Sequence, residues 1–249
     1  MGQDQFIKAI NLKRASTSPH EYPFTIAAVR HLDGLQFTEP VTFFVGENGS
    51  GKSTVLESIA VAAGLNAEGG SRNFRFTTRA THSELSEYIR LVRAPRRPRD
   101  SYFLRADTFY NVASAAEGYG AEVAERQGGG RSPHEQSHGE SFLALVLHRL
   151  RGNGLYLFDE PEAALSPSRQ LALLAAMHRL VASGSQFIIA THSPILMAYP
   201  GAFIYEFYEK GMRPVAYTDT EHYVVTRAFL GNPQRMLREL LEEKEDKEP

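Results

Sequence analysis

The residues with the clearest chemistry are Gly46, Glu47, Asn48, Gly49, Ser50, Gly51, Lys52, Ser53 and Thr54. They spell Gly-x-x-x-x-Gly-Lys-Ser/Thr directly after an apolar run, Val41-Thr42-Phe43-Phe44-Val45. A buried strand that enters a glycine-rich turn and then a helix points several backbone N–H groups at one spot. Those donors and the positive end of the helix dipole bind phosphate. Lys52 is placed to reach β- and γ-phosphates, and the Ser53 hydroxyl to ligate Mg²⁺. Gly46, Gly49 and Gly51 permit positive φ and a close backbone approach to a ligand. The sequence therefore predicts a nucleotide site for ATP with Mg²⁺ over residues 46–54.

Two further clusters fit the same chemistry. The apolar run Leu155-Tyr156-Leu157-Phe158 ends in Asp159-Glu160. Asp159 is a candidate metal carboxylate, because Mg²⁺ takes oxygen ligands and keeps several waters. Glu160, one residue on, is a candidate general base for an attacking water. A third apolar run, Phe187-Ile188-Ile189-Ala190, ends in Thr191-His192-Ser193-Pro194. There His192 can donate to a phosphate oxygen or orient the water. Three apolar strands that each deliver a polar loop at one end of a parallel sheet make a ligand site.

These elements must be positioned by one α/β domain. The chain has 249 residues, 42% hydrophobic and 22% charged, enough for one large core. Net charge is −2, so there is no overall basic footprint for nucleic acid. The chain has no cysteine, which removes disulfides and thiolate metal sites and agrees with a reducing cytoplasm. No apolar stretch is long enough to span a bilayer, and residues 1–14 lack a signal-peptide apolar region. The expectation is a cytoplasmic protein with no direct membrane insertion.

Helical spacing predicts a helix after the loop, with Val55, Leu56, Ile59, Val61 and Ala62 on its apolar face. A second is expected over 141–150. A third, over 168–182, would pack Leu171, Leu173, Leu174, Met177 and Leu180, and Gly184 would stop it. Alternation at Phe24, Ile26 and Ala28 reads as sheet-edge strand within 23–37, and 86–93 as another strand. Residues 236–243 are amphipathic, 244–249 a charged tail, and the glycine-rich stretch 118–137 a mobile loop. Arg90, Arg93, Arg96, Arg97, Arg99 and Arg105 crowd one stretch. They suit a solvated hairpin tip or a contact with a phosphate backbone.

The order of motifs resembles the ABC-type ATPase family over roughly residues 25–205. The resemblance implies a P-loop ATPase head with a mostly parallel central sheet, an antiparallel N-terminal β subdomain and a helical insertion. It makes 1–249 one domain: insert region 65–136, signature-like segment 136–141, Asp-Glu strand 155–160 and His loop 190–194. The family's Leu-Ser-Gly-Gly-Gln signature is matched by Ser137 and Gly139, with His138 and Glu140 departing from it. In the family that segment touches the ATP of the opposite subunit, which implies an ATP-dependent homodimer. Ser166 stands where the family's D-loop has Asp. In place of the Q-loop glutamine the chain has Arg105-Ala106-Asp107, which makes Asp107 a candidate on the metal side and Arg105 a candidate phosphate or structural contact. Tyr22 or Phe24 would be the adenine-stacking aromatic. GENGSGKST, DEPEAALSP and ATHSP look most like the stand-alone predicted ATPases related to the SMC, RecF and overcoming-lysogenization-defect groups. The implied function is an ATP hydrolase acting as a dimeric switch on a nucleic-acid or protein partner, in DNA repair or phage defence. The alternative is the motor subunit of a membrane transporter.

Overall fold

The computed structural model describes residues 5–13, 21–71, 84–105 and 138–241. A seven-stranded sheet carries the site. Its strands are β3 (Val41–Gly46), β4 (Gly70–Ser71), β6 (Asp100–Arg105), β7 (Gly154–Asp159), β8 (Gln186–Ala190), β9 (Phe203–Tyr208) and β10 (Gly211–Pro214), in the order β10-β9-β3-β8-β7-β6-β4. The five inner strands are mutually parallel, and β10 and β4 close the two edges antiparallel. A separate antiparallel sheet, order β2-β1-β5, joins β1 (Ile7–Leu12), β2 (Leu35–Gln36) and β5 (Ile89–Arg93). The α/β class with a mostly parallel central sheet and an antiparallel N-terminal sheet is thus what the sequence implied. Most of the expected insertion, the glycine-rich stretch and the charged tail lie outside the described residues.

The inner strands are apolar on both faces because both are covered. Alternate residues serve different layers. Phe44, Leu155, Leu157, Ile188 and Ala190 pack with helix α2 (Lys52–Ala62), the short helices α1 (Ala27–Arg30) and α3 (Leu85–Tyr88), and the small sheet. Phe43, Val45, Tyr156, Phe158, Phe187 and Ile189 pack with α4 (His138–His148), α5 (Pro167–Ala182) and α6 (Pro194–Met197). Two further helices, α7 (Glu221–Gly231) and α8 (Pro233–Leu241), follow β10 and leave Leu230, Leu240 and Leu241 exposed.

Several local expectations need correction. Residues 23–34 are no strand: Ala27–Arg30 is helical, with Ala28 and Val29 buried, and only Leu35-Gln36 pairs. A short stretch with one alternation suits one helical turn equally well, and burial against β9 and β10 decides. The first half of 86–93 is likewise the helix α3, and the strand begins at Ile89. On α2 the buried face is Val55, Leu56, Ile59 and Ala60, with Val61 and Ala62 half-buried. On α5, Leu171 faces solvent while Leu173, Ala176 and Met177 are buried.

The arginine stretch is not a hairpin tip. It carries the chain from β5 in the small sheet to β6 in the large one, and part of it is stitched inward. Arg96 donates to the Gly184 carbonyl at 3.1 Å and to Asn153, and lies over the Phe6 ring. Arg93 donates to the Ala62 carbonyl.

Buried Gln186 holds the two sheets together. Its Oε1 accepts from the Ile7 N–H at 3.0 Å, and its Nε2 donates to the Ile7 carbonyl at 2.9 Å. Replacing Gln186 with Leu strips both partners from buried backbone groups, at about 1–3 kcal/mol per orphaned group. Urea unfolding of Gln186→Leu should therefore show a loss of at least ~2 kcal/mol, by the same scale.

Candidate functional site

All five parallel strands present their carboxyl ends to one edge of the sheet. There lie Gly46, Arg105, Asp159, Ala190 and the Phe207-Tyr208 end of β9. The loop after β3 turns through positive φ at Gly46 (134°), Gly49 (80°) and Gly51 (98°). A side chain at Gly46 would run into the Phe207 carbonyl oxygen, and a Cβ at Gly51 would meet Ile26 Cγ2 at 2.6 Å. Nothing lies within 4 Å of a Cβ built at Gly49, so that side of the loop is open. Glu47, Asn48, Gly49 and Ser50 line an open cleft of about 650 Å³, walled opposite by Thr25, Arg30, Tyr208 and His222.

Lys52 is 4% exposed and folds into the loop. Its Nζ donates to the Gly46 and Glu47 carbonyls, each at 2.8 Å. Burial lowers its pKa, while Glu160, Asp159 and Glu162 oppose the shift. Three nearby acids thus offset part of the cost of burying the loop cation.

Ser53, at the start of α2, and Asp159, at the end of β7, are 106 residues apart in sequence and meet through an Oγ to Oδ1 hydrogen bond of 2.9 Å. The other Asp159 oxygen lies 3.8 Å from Arg105 Nε, and Arg105 Nη1 donates to Glu57 Oε2 at 2.7 Å. Arg105 is therefore tied to acids rather than held out for a ligand. Its structural role had been one of two expectations, but Glu57 could not be paired with it from sequence because 48 residues separate them.

Glu160 adopts a left-handed backbone, φ 48° and ψ 52°, and its N–H donates to the Ala190 carbonyl at 2.9 Å. That turns the chain sharply off β7 into the 3₁₀ turn Pro161–Ala164. Its Oε1 is 3.7 Å from His192 Nε2, so the candidate base and the candidate phosphate donor are adjacent. Glu162 fixes the His loop. Its Oε2 accepts from Thr191 Oγ1 at 2.8 Å and its Oε1 from the His192 N–H at 2.5 Å. Burial raises the Glu162 pKa, and those donors partly offset it. With both oxygens engaged, Glu162 is an anchor and not a second base.

Gln170 completes the brace. It donates to the Leu165 carbonyl at 3.1 Å and accepts from Ser193 Oγ at 2.5 Å. Ser193 in turn caps α6. Sequence reasoning passed over Glu162 as an anchor, Gln170 and His222. A buried-position polar residue in α5 was the one available sign for Gln170.

Of the other candidates, Gly139 lies in α4, whereas Ser137 and Asp107 fall outside the described residues. Thr54 is half-buried in the first turn of α2, and Ser166 is the exposed N-cap residue of α5. Phe24 is buried edge-on against Tyr88, so it offers no face to a base, while Tyr22 is exposed.

A family model described as "AAA domain, putative AbiEii toxin, Type IV TA system" matches residues 96–198, and one described as "AAA domain" matches 24–121. Among curated proteins no sequence matches. Solved structures similar to the chain include cbiO1 from Clostridium perfringens, part of the ABC transporter complex cbiONQ. It is 15% identical over 95% of this chain and 99% of its own, with a TM-score of 0.48. The SMC head domain from Thermotoga maritima is 17% identical over 73% and 92%, with a TM-score of 0.41. Each family model spans less than half of the chain, so residues 24–121 and 96–198 resemble AAA domains, and the glycine loop of residues 46–54 has the P-loop pattern.

Loss of the Glu162 anchor has a measurable cost. Hydrogen bonds to charged groups contribute about 1.5–3 kcal/mol each. Glu162→Ala should lower urea-unfolding stability by at least ~1.5 kcal/mol on that scale, while Glu162→Gln, which retains one acceptor, should lose less.

Proposed function

We propose that the chain binds ATP with Mg²⁺, hydrolyses it, and acts as a nucleotide-dependent dimeric switch on a protein or nucleic-acid partner, of the kind met in DNA repair or phage defence. The observation that carries the reading is the Ser53–Asp159 hydrogen bond beside the buried Lys52. A hydroxyl and a carboxylate brought together next to a phosphate-binding loop form the hard-oxygen donor set that Mg²⁺ takes while retaining waters. Among the described residues no group of three or more His, Cys, Asp or Glu gathers as a protein-only metal site, which fits a metal shared with the nucleotide's phosphates. Mg²⁺ would supply charge to those phosphate oxygens.

The rest of the work falls to the chain's own residues. The N–H groups of residues 47–54 and the dipole of α2 hold the phosphates. Lys52 would exchange its loop carbonyls for phosphate oxygens, keeping its charge in the same buried position. Glu160 accepts a proton from the attacking water, and His192, 3.7 Å away, donates to the developing phosphate charge. Gly139 and Ser137 would reach the nucleotide of a second copy.

No helix of the described residues is long and apolar enough to cross a membrane. Arg96 and Arg105 are half-buried and engaged within the fold, and the exposed Arg93 donates to the Ala62 carbonyl, so part of the basic stretch is committed to contacts within the chain. That moves the weight toward a protein partner.

Lys52→Ala should weaken ATP binding or turnover at least about tenfold, since a charge-assisted contact of this kind contributes roughly 1.5–3 kcal/mol. Equilibrium binding of a fluorescent ATP analogue and a phosphate-release assay measure it, and unchanged values would refute the nucleotide assignment. Glu160→Gln should retain binding and slow hydrolysis by roughly 10²–10⁴, the usual contribution of a general base. Sedimentation of that variant with Mg²⁺-ATP should show a dimer that the nucleotide-free chain does not form. A monomer under both conditions would remove the switch.

A further inference from the structure

One side chain reaches the site from a part of the chain that carries no motif. His222 lies in the first turn of α7, 30 residues beyond His192, and the two imidazoles meet with His192 Nδ1 3.0 Å from His222 Nε2. The ring centroids are 5.2 Å apart, with the planes at 55°. The pairing is built, not incidental. Buried Thr220 caps α7 by accepting from the Tyr223 N–H at 3.3 Å, and its hydroxyl donates to the Tyr217 carbonyl at 2.8 Å. Tyr217 in turn donates its OH to the Pro194 carbonyl at 3.0 Å, at the end of the His loop. The segment that bears His222 is thus tied to the loop that bears His192.

Between two neutral imidazoles at hydrogen-bond distance one nitrogen donates and the other accepts. The far nitrogen of His192 decides which. His192 Nε2 is buried, makes no hydrogen bond, and faces Glu160 Oε1 at 3.7 Å. An ionised carboxylate only accepts. A bare Nε2 would set its lone pair against that carboxylate, whereas Nε2–H offers it a donor. With the His192 proton on Nε2, Nδ1 is the acceptor, and His222 Nε2–H is the donor. Charged alternatives are disfavoured at both rings. Burial first, then Lys52 and His222, lower the His192 pKa against the pull of Glu160. Burial and Lys52 lower that of His222 against Glu221 and Glu206.

We propose that His222 is a positioning residue for hydrolysis: it donates from Nε2 to His192 Nδ1, fixes His192 as the Nε2–H tautomer, and holds that donor toward Glu160 and the phosphate end of the loop. The role rests on the ATPase reading above. It places a structural element after β10, at the end of the described fold, in control of which atom of the His loop bears the proton.

Three substitutions separate this role from packing. Glutamine at 222 supplies an amide donor in place of Nε2–H. Glutamate supplies only an acceptor and would draw the His192 proton to Nδ1. Alanine supplies neither. Outer-shell partners that orient a metal-bound histidine typically cost about 10–100-fold when removed, and the same order is expected for a partner that orients His192. ATPase kinetics should therefore show kcat within about threefold of wild type for His222→Gln. For His222→Ala and His222→Glu kcat should fall about tenfold or more, with KM for ATP shifted less than about threefold, on the same scale. Nitrogen-15 histidine NMR of the nucleotide-free protein, with His192 signals assigned by their loss in His192→Asn, reads the tautomer without any turnover. Nε2–H in wild type and His222→Gln, and Nδ1–H in His222→Glu, is the expected result. Nδ1–H in the wild type, or equal kcat in all three variants, overturns the proposal. A wild-type chain that hydrolyses no ATP overturns the functional reading instead, and the tautomer then decides the pairing alone.

Discussion

The parallel adjacency of β3, β8 and β7 is the constraint on which the site depends. Each strand is largely apolar, with Thr42 in β3 and Gln186 in β8 as buried polar exceptions, and each ends in residues whose roles need neighbours. Pairing Phe44 with Ala190, and Ala190 with Asp159, puts the glycine loop, the His loop and the two acids side by side along one edge. A parallel sheet requires crossovers, and the helices that make them cover both faces and keep every strand buried. The chemistry at the rim is thus the by-product of a hydrophobic arrangement that is the same along the full length of the strands. A one-residue slip of β7 would exchange Leu157 for Phe158 between the two layers and carry Asp159 away from Ser53.

Charge at that rim is arranged in two tiers. Burial lowers the Lys52 pKa against the opposing pull of nearby acids, and Lys52 spends its donors on the carbonyls of its own loop. Glu162 and Gln170 spend acceptor oxygens on holding the His loop. Glu160 Oε1 and His192 Nε2 face each other at 3.7 Å, and the sharp left-handed turn at Glu160 sets their separation. Backbone strain at a non-glycine residue is tolerated where surrounding contacts over-determine it. Here the Glu160 N–H to Ala190 bond and the adjoining 3₁₀ turn supply those contacts.

Much of this was legible in the sequence, for reasons particular to each element. Glycine spacing around Lys52 demands positive φ, so the loop announced itself. Runs such as Leu155–Phe158 and Phe187–Ala190 are apolar at every position, which only strands covered on both faces require. Residues 23–34 were misread because one alternating turn satisfies strand and helix alike. Leu171 was misassigned because α5 has more leucines than its buried stripe can hold. The Arg105–Glu57, Gln170–Ser193 and His192–His222 contacts join residues 23 to 48 positions apart and leave no local periodicity to read. β9 and β10 lack the uniform apolar character of the inner strands, and α7 buries no residue fully, so neither stood out.

The placement of β9 separates the unit of recognition from the unit of folding. The last motif ends at Pro194 and the family model at residue 198, yet β9, beginning at Phe203, pairs along β3 from Thr42 to Gly46. A fragment cut where the motifs stop would hold every motif residue of the described fold and would leave the loop-bearing strand as a bare sheet edge, open to pairing with other chains. It would also lose Tyr205 and Phe207, whose rings lie 6.4 and 5.1 Å from Phe44. Excised by its letters, the domain would come away as an aggregation-prone core, and its boundary is better drawn by strand pairing.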